Sequence, residues 1–166
     1  PEGTLSEVMI MAKMGIAAAK SAPEQKFILR LHPVLNRKFT MKKLASLGSV
    51  PDNFTLSTAS LEDDLAASSW LCYRGSTVAF QAILAGLRPI YLDPDHQADA
   101  NDPIPKDISF RKFAALPSDL MRVIIEDQQS DASALPEFQD ALAFAQNYVT
   151  PFKPLVLITY LKKIFA

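Results

Sequence analysis

An α/β fold, with an open parallel sheet and helices on both faces, is what this sequence predicts, and three observations carry the prediction. A strand-like run at residues 70–73 (WLCY), a loop, an apolar helical segment at 78–85 and a second strand-like run at 89–92 (PIYL) follow one another. They fit within about two dozen residues, the length of a compact parallel crossover. Residues 26–31 (KFILRL) are almost continuously apolar apart from Arg30, as in a strand covered on both faces by helices. Amphipathic stripes at helical spacing lie before and after these runs.

The first stripe, Leu5, Val8, Met9, Ala12, Ile16 and Ala19, predicts a helix over 4–19, capped by Thr4 or Ser6 with Glu7 in its first turn. After Pro23 comes the strand at 26–31, which ends on His32-Pro33. A basic segment at 37–43 leads through Gly48 and Pro51 to a second short strand at 53–57 (NFTLS). Ser60 caps a short helix at 61–67, in which Glu62, Asp63 and Asp64 form the negative first turn that a helix dipole favours. In the helix at 78–85, Ala79, Ala82 and Ile83 lie on the packed face together with Gly86, which closes it. Residues 93–117 are rich in Asp and Pro without a sustained period, and predict a long loop over the sheet edge.

Helices follow at 118–127 and 135–148, the second with Leu135, Phe138, Leu142, Ala145 and Val149 on one stripe. The tail carries Phe152, Leu155, Val156, Ile158 and Leu161, more apolar surface than a free face holds, and is expected to pack towards a domain outside this chain.

With 166 residues, the chain is expected to form one domain around one core. Hydrophobic residues at 49% and charged residues at 21% argue against disorder or a fibre. A formal net charge of −1 lacks the electrostatic footprint of a nucleic-acid binder, so any anion must be held locally. No apolar run reaches the length of a membrane span and no signal pattern opens the chain, so a cytoplasmic protein is expected. The single cysteine, Cys72, excludes an internal disulfide and a cysteine metal cluster, and is expected to be a buried strand residue. The chain opens on Pro1-Glu2-Gly3 without an initiator methionine, and the expectation is a fragment of a longer two-domain protein.

In open parallel sheets, ligands sit outside the carboxyl ends of the strands, and two unusual loops fall there. Gly75 permits a tight turn, while Ser76 and Thr77 supply hydroxyls and N–H groups at a helix start, where a phosphate is favoured. The same triplet also suits simple helix capping. His32 has a side chain able to donate to a phosphate oxygen at neutral pH, and Pro33 holds it in an extended conformation that aims the ring out of the strand end. A structural histidine with a backbone partner is the other reading of that position. Asp93, Asp95, His96 and Asp99 fit no complete ligand set and read as a solvated acidic loop, so no metal is expected.

Arg30-Leu31-His32-Pro33, then Tyr73-Arg74-Gly75-Ser76-Thr77-Val78, then Ala82-Ile83-Leu84-Ala85-Gly86-Leu87-Arg88-Pro89 form a pattern similar to bacterial GT-B glycosyltransferases. It resembles the sialyltransferases, capsule Kdo transferases and teichoic-acid polymerases, which share a His-Pro turn and a Ser/Thr pair. The similarity covers about residues 1–92. It implies a Rossmann-like carboxy-terminal half of a GT-B architecture that binds a sugar nucleotide for bacterial surface (capsular) polysaccharide biosynthesis. His32, Ser76 and Thr77 would then contact the donor's phosphates, Gly75 would permit their close approach, and Glu2-Gly3-Thr4 would form a first loop near the donor.

Many relatives place a Glu where this chain has Gln81, and that acid holds the ribose hydroxyls. Gln81 offers hydrogen bonds without charge, or serves as a solvated helix residue. The resemblance implies no cofactor beyond the sugar nucleotide as substrate. It places the acceptor-activating base in a missing amino-terminal domain, so catalytic residues are not identified in this chain. Two rivals share the architecture: a sugar-nucleotide 2-epimerase and a non-catalytic Rossmann-like interaction module.

Overall fold

A computed structural model describes residues 3–94, 102–105, 107–128 and 136–149, with positions 154, 155, 158, 160 and 164 beyond them. The described residues form a mixed α/β protein: α1 (Leu5–Ser21), β1 (Phe27–Leu29), α2 (Arg37–Ala45), β2 (Phe54–Leu56), α3 (Leu61–Ala66), β3 (Trp70–Tyr73), α4 (Val78–Leu84), β4 (Arg88–Leu92), β5 (Lys112–Ala114), α5 (Pro117–Gln128) and α6 (Pro136–Tyr148). All pairings are parallel. They fall into two sheets, β1-β2 and β3-β4-β5, rather than one.

Alternation along β3 and β4 decides the layering. Trp70, Cys72, Ile90 and Leu92 face a core with α1 and α5, built on Val8, Met11, Ala12, Leu120, Val123 and Ile124. Their neighbours Tyr73 and Tyr91 face the opposite side, where Ala79, Phe80 and Ile83 of α4 pack with Phe138, Ala141 and Ala145 of α6. Every residue of β4 is buried, the signature of a central strand covered on both faces. β1 departs from the expected double cover: Leu29 is buried but Ile28 is 42% exposed. The α1/α5 side thus covers β1 without a matching layer on the other face.

Two elements run against the sequence reading. The basic segment is itself a helix, α2, because Asn36 accepts a hydrogen bond from the Phe39 N–H at 3.0 Å while Thr40 and Leu44, one turn apart, are buried. The expected loop at 93–117 contains β5, whose three residues pair with Ile90, Tyr91 and Leu92. Of the tail residues, Leu155 and Ile158 are exposed, while Phe152, Val156 and Leu161 lie outside the described residues.

Two buried polar clusters lock the layers. At the start of β3 and β4, Arg88 Nη1 pairs with Asp127 Oδ1 of α5 at 3.0 Å, and the Trp70 indole N–H donates to Asp127 Oδ2 at 3.1 Å. The Arg88 guanidinium also lies over the Phe110 ring, 4.6 Å from its centroid. On the α4/α6 face, Asp102 pairs with Arg111, accepts the Tyr73 hydroxyl at 2.8 Å and accepts the Ile104 N–H at 2.9 Å. Arg111 donates in turn to the Ile104 carbonyl. This cluster ties Asp102, Ile104 and Arg111, which lie between β4 and β5, to Tyr73 of β3. Burial and the neighbouring Asp102 carboxylate push the Tyr73 hydroxyl far above its ordinary pKa, so it stays a neutral donor.

Replacing Arg88 by Met removes the cation from a buried carboxylate and is expected to lower unfolding free energy by about 3–5 kcal/mol. Urea denaturation reads this as a lower midpoint. A change within about 0.5 kcal/mol would show that the pair does not hold α5 to the sheet.

Candidate functional site

A cleft of about 870 Å³ lies between the two sheets and is lined from both sides. Phe27, Leu29 and Leu31 bound it on the β1 side, Trp70, Leu71 and Cys72 on the β3 side, with Met11, Leu120 and Ile124 contributed by the helices. Apolar walls with a few convergent polar groups are the usual make-up of a small-molecule pocket. Its polar residues include Arg30, His32, Asp64 and Ser76.

Three chain segments converge at one end. The loop after β3 is tied to the first turn of α1 by an ion pair between Arg74 Nε and Glu7 Oε2 at 2.9 Å, with both side chains largely buried. The turn after β1 meets the residue that precedes α1's N-cap. A Cβ built on Gly3 would come within 2.8 Å of Val34 Cγ2 and 3.5 Å of His32 Nδ1, so only glycine fits without displacement. Thr4 caps α1, its hydroxyl accepting the Glu7 N–H at 3.3 Å. The start of α1 thus touches both loops, which brings the His-Pro turn and the Arg74–Ser76 turn to the same end of the cleft. Of the expected first loop, Gly3 and Thr4 are described and Glu2 lies outside the described residues.

His32 is exposed at that end. Its Nδ1 accepts the Val34 N–H at 3.3 Å, so the neutral ring carries its proton on Nε2, where it serves as a donor. Gly75 has φ of 57°, the left-handed region that glycine enters at no steric cost. Ser76 lines the cleft, and its Oγ accepts the Val78 N–H at 3.4 Å.

Thr77 and Gln81 are placed differently. Thr77 occupies the N-cap position of α4 but makes no side-chain cap hydrogen bond, and it is exposed. Gln81 is exposed on α4. The cleft lining includes His32 and Ser76 and includes neither Thr77, Gln81 nor Gly75. His96, Asp95 and Asp99 lie outside the described residues.

Sequence reasoning missed an ion pair on the cleft wall. Arg30 Nη1 lies 2.8 Å from Asp64 Oδ2, which also accepts the Ser57 hydroxyl at 2.6 Å, and Arg30 donates to the Ala59 carbonyl as well. Asp64 is therefore more than a helix-dipole residue, since it ties β1 to α3 across the cleft wall. The available signal was Arg30 itself, a charge set between Leu29 and Leu31 at the end of an apolar run.

Cys72 also borders the cleft. Burial of its sulfur pushes the thiol up to about 12, which disfavours the thiolate, so it serves as wall. Among the described residues, no helix is long and apolar enough to cross a membrane. No protein family, curated protein or solved structure matches this chain.

The raised thiol predicts that iodoacetamide leaves Cys72 unmodified in the native protein at about pH 8, near an ordinary thiol pKa. Modification should appear only when urea unfolds the chain, read by intact mass. Fast native labelling would place the sulfur in a more polar setting than described here.

Proposed function

We propose that this chain is the sugar-nucleotide-binding half of a two-domain glycosyltransferase of bacterial surface polysaccharide synthesis, with the Rossmann-like half of a GT-B architecture. The observation that carries the reading is that His32 and Ser76, each following a parallel strand, line the same cleft. Both sheets are parallel throughout, and the cleft is lined by the residues that follow β1 and β3, as ligand sites are in open parallel sheets.

In this reading, the donor's phosphates sit at the α1 end of the cleft. The His32 Nε2–H and the Ser76 hydroxyl donate to phosphate oxygens, and the left-handed turn at Gly75 lets the backbone come close. As the bond to the sugar breaks, negative charge grows on the departing phosphate, and donors already aimed at it stabilise that charge. α4 is only seven residues long, so the side chains carry more of this work than a helix dipole does. The exposed Thr77 has the smaller part. Transfer itself requires a base and an acceptor site from a further domain.

Calorimetric titration of the chain with CMP, CDP, UDP and GDP tests the reading. One nucleotide is expected to bind, and Ser76→Ala is expected to weaken it by about 1.5–3 kcal/mol, the worth of a hydrogen bond to a charged group. Thr77→Ala should change it by less than about 0.5 kcal/mol. Absence of binding by all four would overturn the proposal in favour of a non-catalytic module. Equal losses for Ser76→Ala and Thr77→Ala would place the phosphate along the start of α4 instead of in the cleft.

A further inference from the structure

From Gln25 to Val50 the sequence carries six of the chain's 17 cationic side chains, Lys26, Arg30, Arg37, Lys38, Lys42 and Lys43, and none of its 18 carboxylates. In a chain of net charge −1, that imbalance concentrates positive charge on one stretch of surface. α2 holds four of the six and buries only Thr40 and Leu44.

Three of these four stand apart from the structural work of Arg37. Arg37 is occupied by the Ser57 carbonyl at 2.9 Å, just as Arg30 is occupied by Asp64 and Ala59. Lys38 and Lys42 are exposed on α2, and Lys43 lies 5.6 Å from the Phe39 ring centroid. Among the described ion pairs, none involves Lys38, Lys42 or Lys43.

Large apolar side chains lie exposed among these cations. Phe39 is 52% and Met41 47% exposed, and Val34 and Val50 on the flanking turns are 72% and 42% exposed. A helix that only needed solvation would gain nothing from a phenylalanine and a methionine between lysines. A polyanion such as RNA would use the cations and leave Phe39 and Val34 without a role. An anionic lipid surface uses both: the ammonium groups meet lipid phosphates, and the apolar side chains enter the headgroup boundary. We propose that the exposed face of α2 on which Phe39 lies among Lys38, Lys42 and Lys43 docks this chain onto an anionic membrane surface. The chain lies on the bilayer, in keeping with the lack of a spanning helix among the described residues. The Val34 N–H, on the turn before α2, bonds His32 Nδ1. The docking does not depend on which ligand the cleft takes.

Co-sedimentation of the whole chain with phosphatidylcholine vesicles, with and without phosphatidylglycerol, tests the proposal. Binding is expected only with the anionic lipid and is expected to fall as salt is raised. Each of Lys38→Gln, Lys42→Gln and Lys43→Gln should weaken partitioning about fivefold at low salt, and the triple variant on the order of a hundredfold. Phe39→Ala should weaken binding while leaving its salt dependence unchanged. All four positions are exposed, so far-ultraviolet circular dichroism should be the same for every variant. Equal binding to both vesicle types, binding that survives the triple substitution, or retention of an RNA oligonucleotide without vesicle binding would each overturn it.

Discussion

The Asp127 carboxylate binds two neighbouring strands at once, taking the Arg88 guanidinium on one oxygen and the Trp70 indole N–H on the other. Trp70 and Arg88 are partners in the β3-β4 register, so one buried acid on α5 clamps the start of the sheet's central pair. Burying a carboxylate and a guanidinium costs several kcal/mol of desolvation, which is offset only when the geometry and the extra donors are good. Here the Trp70 N–H satisfies the second carboxylate oxygen and the Phe110 ring covers the guanidinium, while the buried Arg88 Nε and Nη2 have no hydrogen-bond partner among the described residues. With α5 held in place, Leu120, Val123 and Ile124 complete the core against α1. The position of α1 in turn decides where Gly3 and Glu7 meet the two loops at the end of the cleft. The geometry of the candidate site thus depends on a residue at the far end of a helix that contributes no polar group to it.

The parts of this architecture legible in the sequence are those where one periodicity dominates. β3, α4 and β4 stand out because a short apolar run, a helix-closing Gly86 and a second run leave no competing pattern, and α1 stands out by its apolar stripe. α2 was hidden because its outward face mixes lysines with Phe39 and Met41, which erases the helical contrast, and only Thr40 and Leu44 mark its inner side. β5 was hidden because a three-residue strand within an Asp- and Pro-rich stretch is too short to show alternation, and its central Phe113 is 42% exposed.

The site divides in the same way. His32 and Ser76 were accessible to sequence reasoning because each follows a strand end, which is a local property. The Arg30–Asp64 pair was not, because its members are 34 residues apart and nothing in either neighbourhood marks the other. The difference between Ser76 and Thr77 was equally out of reach. Adjacent hydroxyl residues look alike in sequence, and only the turn at Gly75 decides that one lines the cleft while the other faces solvent.

The division into two sheets also bears on how the chain acquires its structure. Each parallel pairing among the described residues joins strands that are consecutive in the chain: β1 with β2, β3 with β4, and β4 with β5. No pairing has to bring together strands with another strand between them, so each sheet closes through short crossovers and low loop-closure entropy. One shared core nevertheless joins the two sheets, with Leu29 of β1 in the same cluster as Ile90 and Leu92 of β4 and the inner faces of α1 and α5. Amide protection should follow burial, with the fully buried β4 the slowest to exchange and β1, whose Ile28 is exposed, faster.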